Sequence, residues 1–127
     1  AAREVFTRER FETREVVILG NGAMANMFRV LLEELEVPYR LLNRKSDGNL
    51  NHLDYDQFSR DNLLIINCCS REFNFTASIS SQSIFWDMNY SHKFHESSLS
   101  NQLTYIDGYE LLYLQAKEAK KFWNFTL

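Results

Sequence analysis

Gly20-Asn21-Gly22-Ala23-Met24-Ala25 follows directly on four apolar residues, Val16 to Leu19, and leads into an amphipathic run. A buried strand, a glycine turn and a helix in that order make a βα unit suited to phosphate. Gly20 permits a tight turn out of the strand, and Gly22, lacking a Cβ, lets a pyrophosphate approach the backbone through the Asn21–Ala23 turn. The helix that opens at Ala23 presents unpaired N–H groups and the positive end of its dipole. Ala25 takes the third position of the G-x-G-x-x-G/A spacing, where a small residue lets helix and strand pack closely.

The second candidate lies at the end of the next expected strand, Tyr39–Leu42, where Asn43-Arg44-Lys45 stands and no carboxylate occurs until Asp47. An acidic residue at such a strand end accepts a hydrogen bond from a ribose 2′-hydroxyl, whereas a basic one pairs with a 2′-phosphate. Arg44 offers a planar fork for phosphate and Lys45 a second positive charge, so the pattern points to NADP rather than NAD. A plain solvated loop is the competing reading of the same two residues.

These groups need a scaffold, and the hydrophobic pattern outlines one. The first strand is Glu15–Leu19. Ala25, Phe28, Leu31, Leu32 and Leu35 recur at helical spacing over 23–36, and Pro38 follows the helix end. Residues 43–50 read as a polar loop, Leu53–Tyr55 as a short strand, Asp56–Arg60 as a turn and Leu63–Cys68 as a buried strand. Ser70–Ser83 is a loop with at most a helical turn. Ile84–Met88 and Leu103–Ile106 complete the strands, with a short helix at 95–101 between them. Helices are expected at 3–11 and, closing the chain, at Gly108–Asn124. The alternation predicts an α/β fold: a Rossmann-like, doubly wound, mostly parallel sheet with flanking helices in one three-layer domain. Residues 1–14 read as a helical lead-in, the remnant of an interdomain helix in a longer protein, and 15–127 as the nucleotide-binding domain.

The 127 residues suffice for one core, with 45% hydrophobic and 14% aromatic content. A net charge of −3 with scattered basic residues gives no reason to expect nucleic acid, and no apolar run reaches membrane-spanning length. Cys68 and Cys69 are adjacent in a strand and point to opposite faces, which argues for reduced thiols and a cytoplasmic protein. His92 and His95, three apart in a polar segment, read as solvated loop residues rather than metal ligands, and no metal is expected. Asp87 and Asp107 end strands and read as caps of the turns that follow.

Several segments together resemble the C-terminal, NADP-binding domain of the shikimate/quinate dehydrogenase family. Leu42-Asn43-Arg44 resembles its Asn-Arg-Thr segment at the adenosine 2′-phosphate, with Lys45 in place of threonine. Ile65-Ile66-Asn67-Cys68-Cys69-Ser70 resembles its Ile-Ile-Asn-Ala-Thr-Ser segment beside the nicotinamide. Asp87-Met88-Asn89-Tyr90 resembles Asp-Met-x-Tyr, and the run from Asp107-Gly108 through Leu111 to Gln115-Ala116 resembles Asp-Gly-x-x-Met-Leu-x-x-Gln-Ala. The resemblance covers the chain from Val16 onward. It implies that Asn67, Cys69, Ser70, Met88, Gly108 and Leu111 line the cofactor, and that Tyr90 and Gln115 reach a small polyol acid. The chain departs from the family at Ala23 (for glycine), Cys69 (for threonine), His92 and His95 (for proline and threonine) and Leu111 (for methionine).

The family's catalytic lysine and aspartate belong to an N-terminal substrate domain, so the resemblance implies no catalytic residue in this chain and makes that domain its partner. The parent activity implied is NADPH-dependent reduction of 3-dehydroshikimate to shikimate, a step of aromatic amino acid biosynthesis. The alternative is a non-catalytic Rossmann module that binds nucleotide or a protein partner. On the residues alone, Tyr90 reads equally as a core-edge tyrosine, Gln115 as a surface residue and Cys69 as an inert thiol.

Overall fold

The structure, a computed structural model, describes residues 13–89 and 92–108. The expected helix at 3–11, all but the first residue of the one at 108–124, and with them Tyr90, Leu111 and Gln115, lie outside the described residues.

Strand β1 (Glu15–Leu19) is joined by helix α1 (Ala23–Glu34) to β2 (Tyr39–Leu42), which runs into a one-turn helix, α2 (Arg44–Asp47). Strands β3 (Leu63–Asn67) and β4 (Ile84–Asp87), helix α3 (Lys93–Leu99) and β5 (Thr104–Ile106) follow. The five strands form one sheet in the order β2-β1-β3-β4-β5. Every pairing is parallel, with Val17 beside Arg40 and Ile65, and Ile65 beside Phe85. The α/β, Rossmann-like class is therefore what the chain adopts.

The apolar continuity of β1 and β3 has a direct cause: both faces of the sheet are covered. Val16, Ile18, Leu64, Ile66 and Trp86 point to the α1 side and pack on Ala25, Phe28 and Leu32. Val17, Leu19, Leu63, Ile65 and Phe85 point the other way, onto Leu50, Tyr55, Phe75 and Leu99. Phe28 meets Trp86 edge-on at 5.2 Å, and Phe75 lies 5.0 Å from Phe85. The chain steps from β1 outward to β2 on the α1 face, then reverses to β3, β4 and β5 with its connections on the opposite face. Right-handed crossovers require that change of face when direction reverses.

The strand expected at Leu53–Tyr55 does not form. Two 3₁₀ turns, Leu50–His52 and Tyr55–Gln57, occupy this stretch instead. Asn49 and Asp54 each accept the N–H of the residue two positions on, a local bond that competes with strand pairing. With Leu50 and Tyr55 buried against the sheet, β2 stays at its edge. The order β2-β1-β3-β4-β5 is what remains of 3-2-1-4-5-6 when the outermost strand is missing, and is equally the flavodoxin-like order.

Smaller departures have local causes. The stretch after Leu42 is a capped helical turn, because the Asn43 side chain accepts the Ser46 N–H at 3.0 Å. Helix α3 starts at Lys93 rather than 95, because His92 caps it. No helix among the described residues is long and apolar enough to cross a membrane.

Candidate functional site

In an open parallel sheet, ligands bind outside the carboxyl ends of the strands, at the point where the direction of strand addition reverses. Here that point lies between β1 and β3. The sheet brings the expected segments to this one edge: 20–25 after β1, 43–45 after β2, 67–70 after β3, Met88 after β4 and Gly108 after β5.

The two turn glycines have different reasons for being glycine. Gly20 has φ +114°, and a Cβ on it would lie 3.0 Å from the carbonyl oxygen of Cys68. Its N–H donates to Leu42 O at 2.8 Å, while Cys68 N–H donates to Leu19 O at 2.8 Å. Gly20 thus lets three strand ends converge. Gly22 has an ordinary φ of −86°, and a Cβ there would have no atom within 4 Å. Nothing among the described residues demands glycine at this position. Asn21, Gly22, Ala23 and Met24 are exposed, while Ala25 is buried against the sheet. No side chain among the described residues caps α1, and its first turn contains no acidic residue. The N–H groups of that turn therefore lack acceptors within the helix.

At the end of β2, Arg44 and Lys45 are exposed, and neither side chain has a partner among the described residues. The one-turn helix also carries Asp47 back, so that its Oδ2 accepts the Asn43 N–H at 2.9 Å. In sequence this carboxylate stands five residues beyond the strand end; in space it is at the strand end, half-buried.

The ends of β3 and β4 are organised inward. Asn67 is fully buried; its Nδ2 donates to Asp87 Oδ1 at 3.1 Å, and its Oδ1 accepts the Cys69 N–H at 3.2 Å. Asn67 therefore faces inward, with both amide atoms engaged. Cys69 is half-buried and Ser70 exposed, its hydroxyl donating to Glu72 at 3.0 Å. Burial pushes the Cys68 thiol up to about 12 and the Cys69 thiol up to about 11, so both are neutral and unreactive near pH 7. Met88 is half-buried against the α1-side core, and Gly108 is buried.

His92 and His95 correct the sequence expectation: both are buried, not solvated. They belong to a network centred on Asp87, also fully buried. Asp87 Oδ1 accepts from Asn67 Nδ2, from the Asn89 N–H at 3.1 Å and from Asn89 Nδ2 at 3.2 Å. Asp87 Oδ2 accepts from His95 Nδ1 at 2.7 Å and from the Tyr105 hydroxyl at 3.0 Å. Burial alone would raise the Asp87 carboxyl, but the hydrogen bonds donated by His95, Asn89 and Tyr105 hold it below the ordinary carboxylate value. Asp87 does cap the turn at Asn89, as expected from sequence; it also ties β3, β4, α3 and β5 together. Burial, helped by Asp87, pushes the Tyr105 phenol far up, so this hydroxyl acts as a donor.

Asp87, His92 and His95 bring potential ligand atoms within 4.8 Å of one another. Their bonding does not suit a metal. His95 Nδ1 is held by Asp87, and its Nε2 accepts the Phe75 N–H at 2.8 Å. His92 Nδ1 accepts the His95 N–H at 3.3 Å, and its Nε2 donates to Arg71 O and Phe73 O at 3.1 and 3.3 Å. The two rings are stacked, 3.8 Å apart and 14° from parallel. Parallel planes send their nitrogen lone pairs side by side rather than toward one point about 2 Å from each. The signal for this network in the sequence was an aspartate ending an apolar strand with two histidines at a helix start, and its meaning needed the fold.

No known family model, curated protein or solved structure matches this chain.

Proposed function

We propose that this chain binds a dinucleotide across the β1/β3 switch point, with its pyrophosphate over Gly22 and the N-terminus of α1. The observation that carries the reading is Gly22. Its backbone is ordinary, and among the described residues the space beside it is open and no side chain caps the helix behind it. A residue whose glycine the fold does not require is explained by a ligand that does.

The nucleotide we propose is NADP. Arg44 and Lys45, exposed at the end of β2, would hold the 2′-phosphate. Asn43 positions them by capping α2. Asp47 is the group that opposes this preference, although its Oδ2 is already held by the Asn43 N–H. The wider proposal is the NADP-binding domain of a shikimate dehydrogenase-like, cytoplasmic oxidoreductase. What supports it is that the segments resembling that family fall at successive carboxyl strand ends. The bound cofactor would supply hydride for reduction of a carbonyl, 3-dehydroshikimate to shikimate. This chain's part is to hold and orient it, with Tyr90 and Gln115 toward the polyol acid and proton transfer left to a substrate domain. A second reading, a non-catalytic nucleotide-binding module, is favoured by one observation: Asn67, expected beside the nicotinamide, has both amide atoms committed inside the protein.

Titration calorimetry with NADPH and NADH tests the proposal. NADPH binds more tightly, and Arg44→Ala removes most of the difference, roughly 1.5–3 kcal/mol for a charge-assisted contact. Equal affinities for the two would overturn NADP and point to Asp47 as a ribose acceptor. Absence of binding by either would overturn the site itself.

A further inference from the structure

The strap that follows β3, residues 70–83, contains no helix or strand, yet it covers the core with Phe73, Phe75 and Ile79. Its first half starts at the edge of the candidate crevice and is fastened largely by two side chains of the β4–α3 corner. His92 Nε2 donates to the carbonyls of Arg71 and Phe73, and His95 Nε2 accepts the N–H of Phe75. Asn51 adds a further anchor beyond them, donating to Asn74 O and accepting the Thr76 N–H.

The direction of the Phe75 bond fixes the state of His95. A ring nitrogen that accepts from an N–H carries no proton, and the other nitrogen donates to Asp87. His95 is therefore the neutral, Nδ1-protonated tautomer, although it lies against an ionised carboxylate. Adding a proton at Nε2 sets N–H against N–H, and the Phe75 bond cannot persist. Gaining a proton would strengthen the attraction between His95 and Asp87, so the proton has a place to go that costs the strap, not the strand ends.

We propose that His95 is a proton-operated latch: neutral, it holds Phe75 and the 70–76 strap against α3; protonated, it keeps Asp87 and lets the strap go. The inference stands whether or not the neighbouring crevice takes a nucleotide. Ionisable groups surround the latch from each packed element. Asp87 of β4 bonds it directly, and Tyr105 of β5 is held neutral. The Cys69 thiol after β3 is neutral too. His92 stacks on it from the start of α3. Glu96 of α3 and Asp107 after β5 are close enough to act on the Tyr105 phenol. Lys93 and Arg71 are exposed at its outer rim. Asp87 is the full charge in hydrogen-bond contact, and it selects His95 over His92 as the proton acceptor. A proton on His92 Nδ1 would instead oppose the His95 N–H and set a positive charge at a helix N-terminus.

The experiment is nitrogen-15 NMR of the full chain between about pH 8 and pH 5, the range in which imidazoles change charge. At the upper end His95 Nε2 gives the signal of an unprotonated nitrogen. As it gains its proton, the exchange protection of the Phe75 amide, corrected for the intrinsic pH dependence, falls about tenfold, while amides of β1 and β3 keep theirs. His95→Gln retains an acceptor for Phe75 and cannot titrate, so its Phe75 protection stays level with pH; His92→Gln leaves the wild-type pH dependence in place. A His95 that takes up a proton with Phe75 still protected would overturn the latch. So would a His95 already protonated at Nε2 near pH 8, and both readings need only the wild-type chain if the glutamine variant does not fold.

Discussion

Asp87 shows how much one residue can carry in a small sheet. Its carboxylate is buried and receives five hydrogen bonds from four residues, which is why it stays ionised. Truncating it leaves His95, Tyr105 and Asn67 donors unpaired in the interior, so Asp87→Ala should lose about 3–5 kcal/mol of stability in urea unfolding. Because the folded-state pKa is depressed, the contribution is complete above the unfolded value of about 3.9. It disappears as pH falls through the lower folded value. Asp87→Asn should accordingly be less stable at neutral pH and show a flatter acid limb; an acid limb parallel to wild type would place the effect elsewhere. The cysteines make the opposite case, of residues that look chemical and are not. With Cys69 raised to about 11 and Cys68 to about 12, the folded chain should react with a disulfide reagent at neutral pH at least about a hundredfold more slowly than the denatured chain. Fast modification of either thiol in the folded state would contradict the burial found here.

At the scale of the element, the β1–α1 turn separates a glycine needed by the fold from one that is not. Gly20→Ala would force a Cβ to 3.0 Å from Cys68 O at φ +114°, and should cost about 1–3 kcal/mol of stability. Gly22→Val should leave thermal unfolding within about 1 kcal/mol of wild type, since the space is open and the backbone ordinary. It should abolish dinucleotide binding in the same calorimetric titration. Retained binding in a folded Gly22→Val chain would remove the main support for the proposed function. The spacing of glycines and the strand–turn–helix order were legible in the sequence, because each depends on residues within one turn of each other. The division of labour between Gly20 and Gly22 was not, because the atom that crowds Gly20 comes from the end of β3.

For the whole molecule, the sheet order sets a gradient of protection. β1 and β3 lie inside the sheet and are buried on both faces, whereas β2 and β5 are edges with exposed or half-exposed residues. In hydrogen exchange, the amides of Val17 and Ile65 should be slowest, and those of Arg40 and Tyr105 should exchange through local opening. Uniform rates across all five strands would mean that the sheet opens only as a unit. By itself, the sequence determined the α/β class, the five strands, α1 and the glycine turn, because periodicity and turn chemistry are local properties that tertiary packing here reinforces. It also suggested one strand too many at Leu53–Tyr55, where side-chain-to-backbone bonds from Asn49 and Asp54 outcompete pairing. Only the tertiary structure decided that Asp47 returns to the end of β2, that Asn67 faces inward, and that His95 is a buried partner of Asp87 with His92 stacked on it. Each of these depends on which strand ends become neighbours. A parallel sheet creates such neighbours from residues far apart in the chain, and no local pattern encodes them.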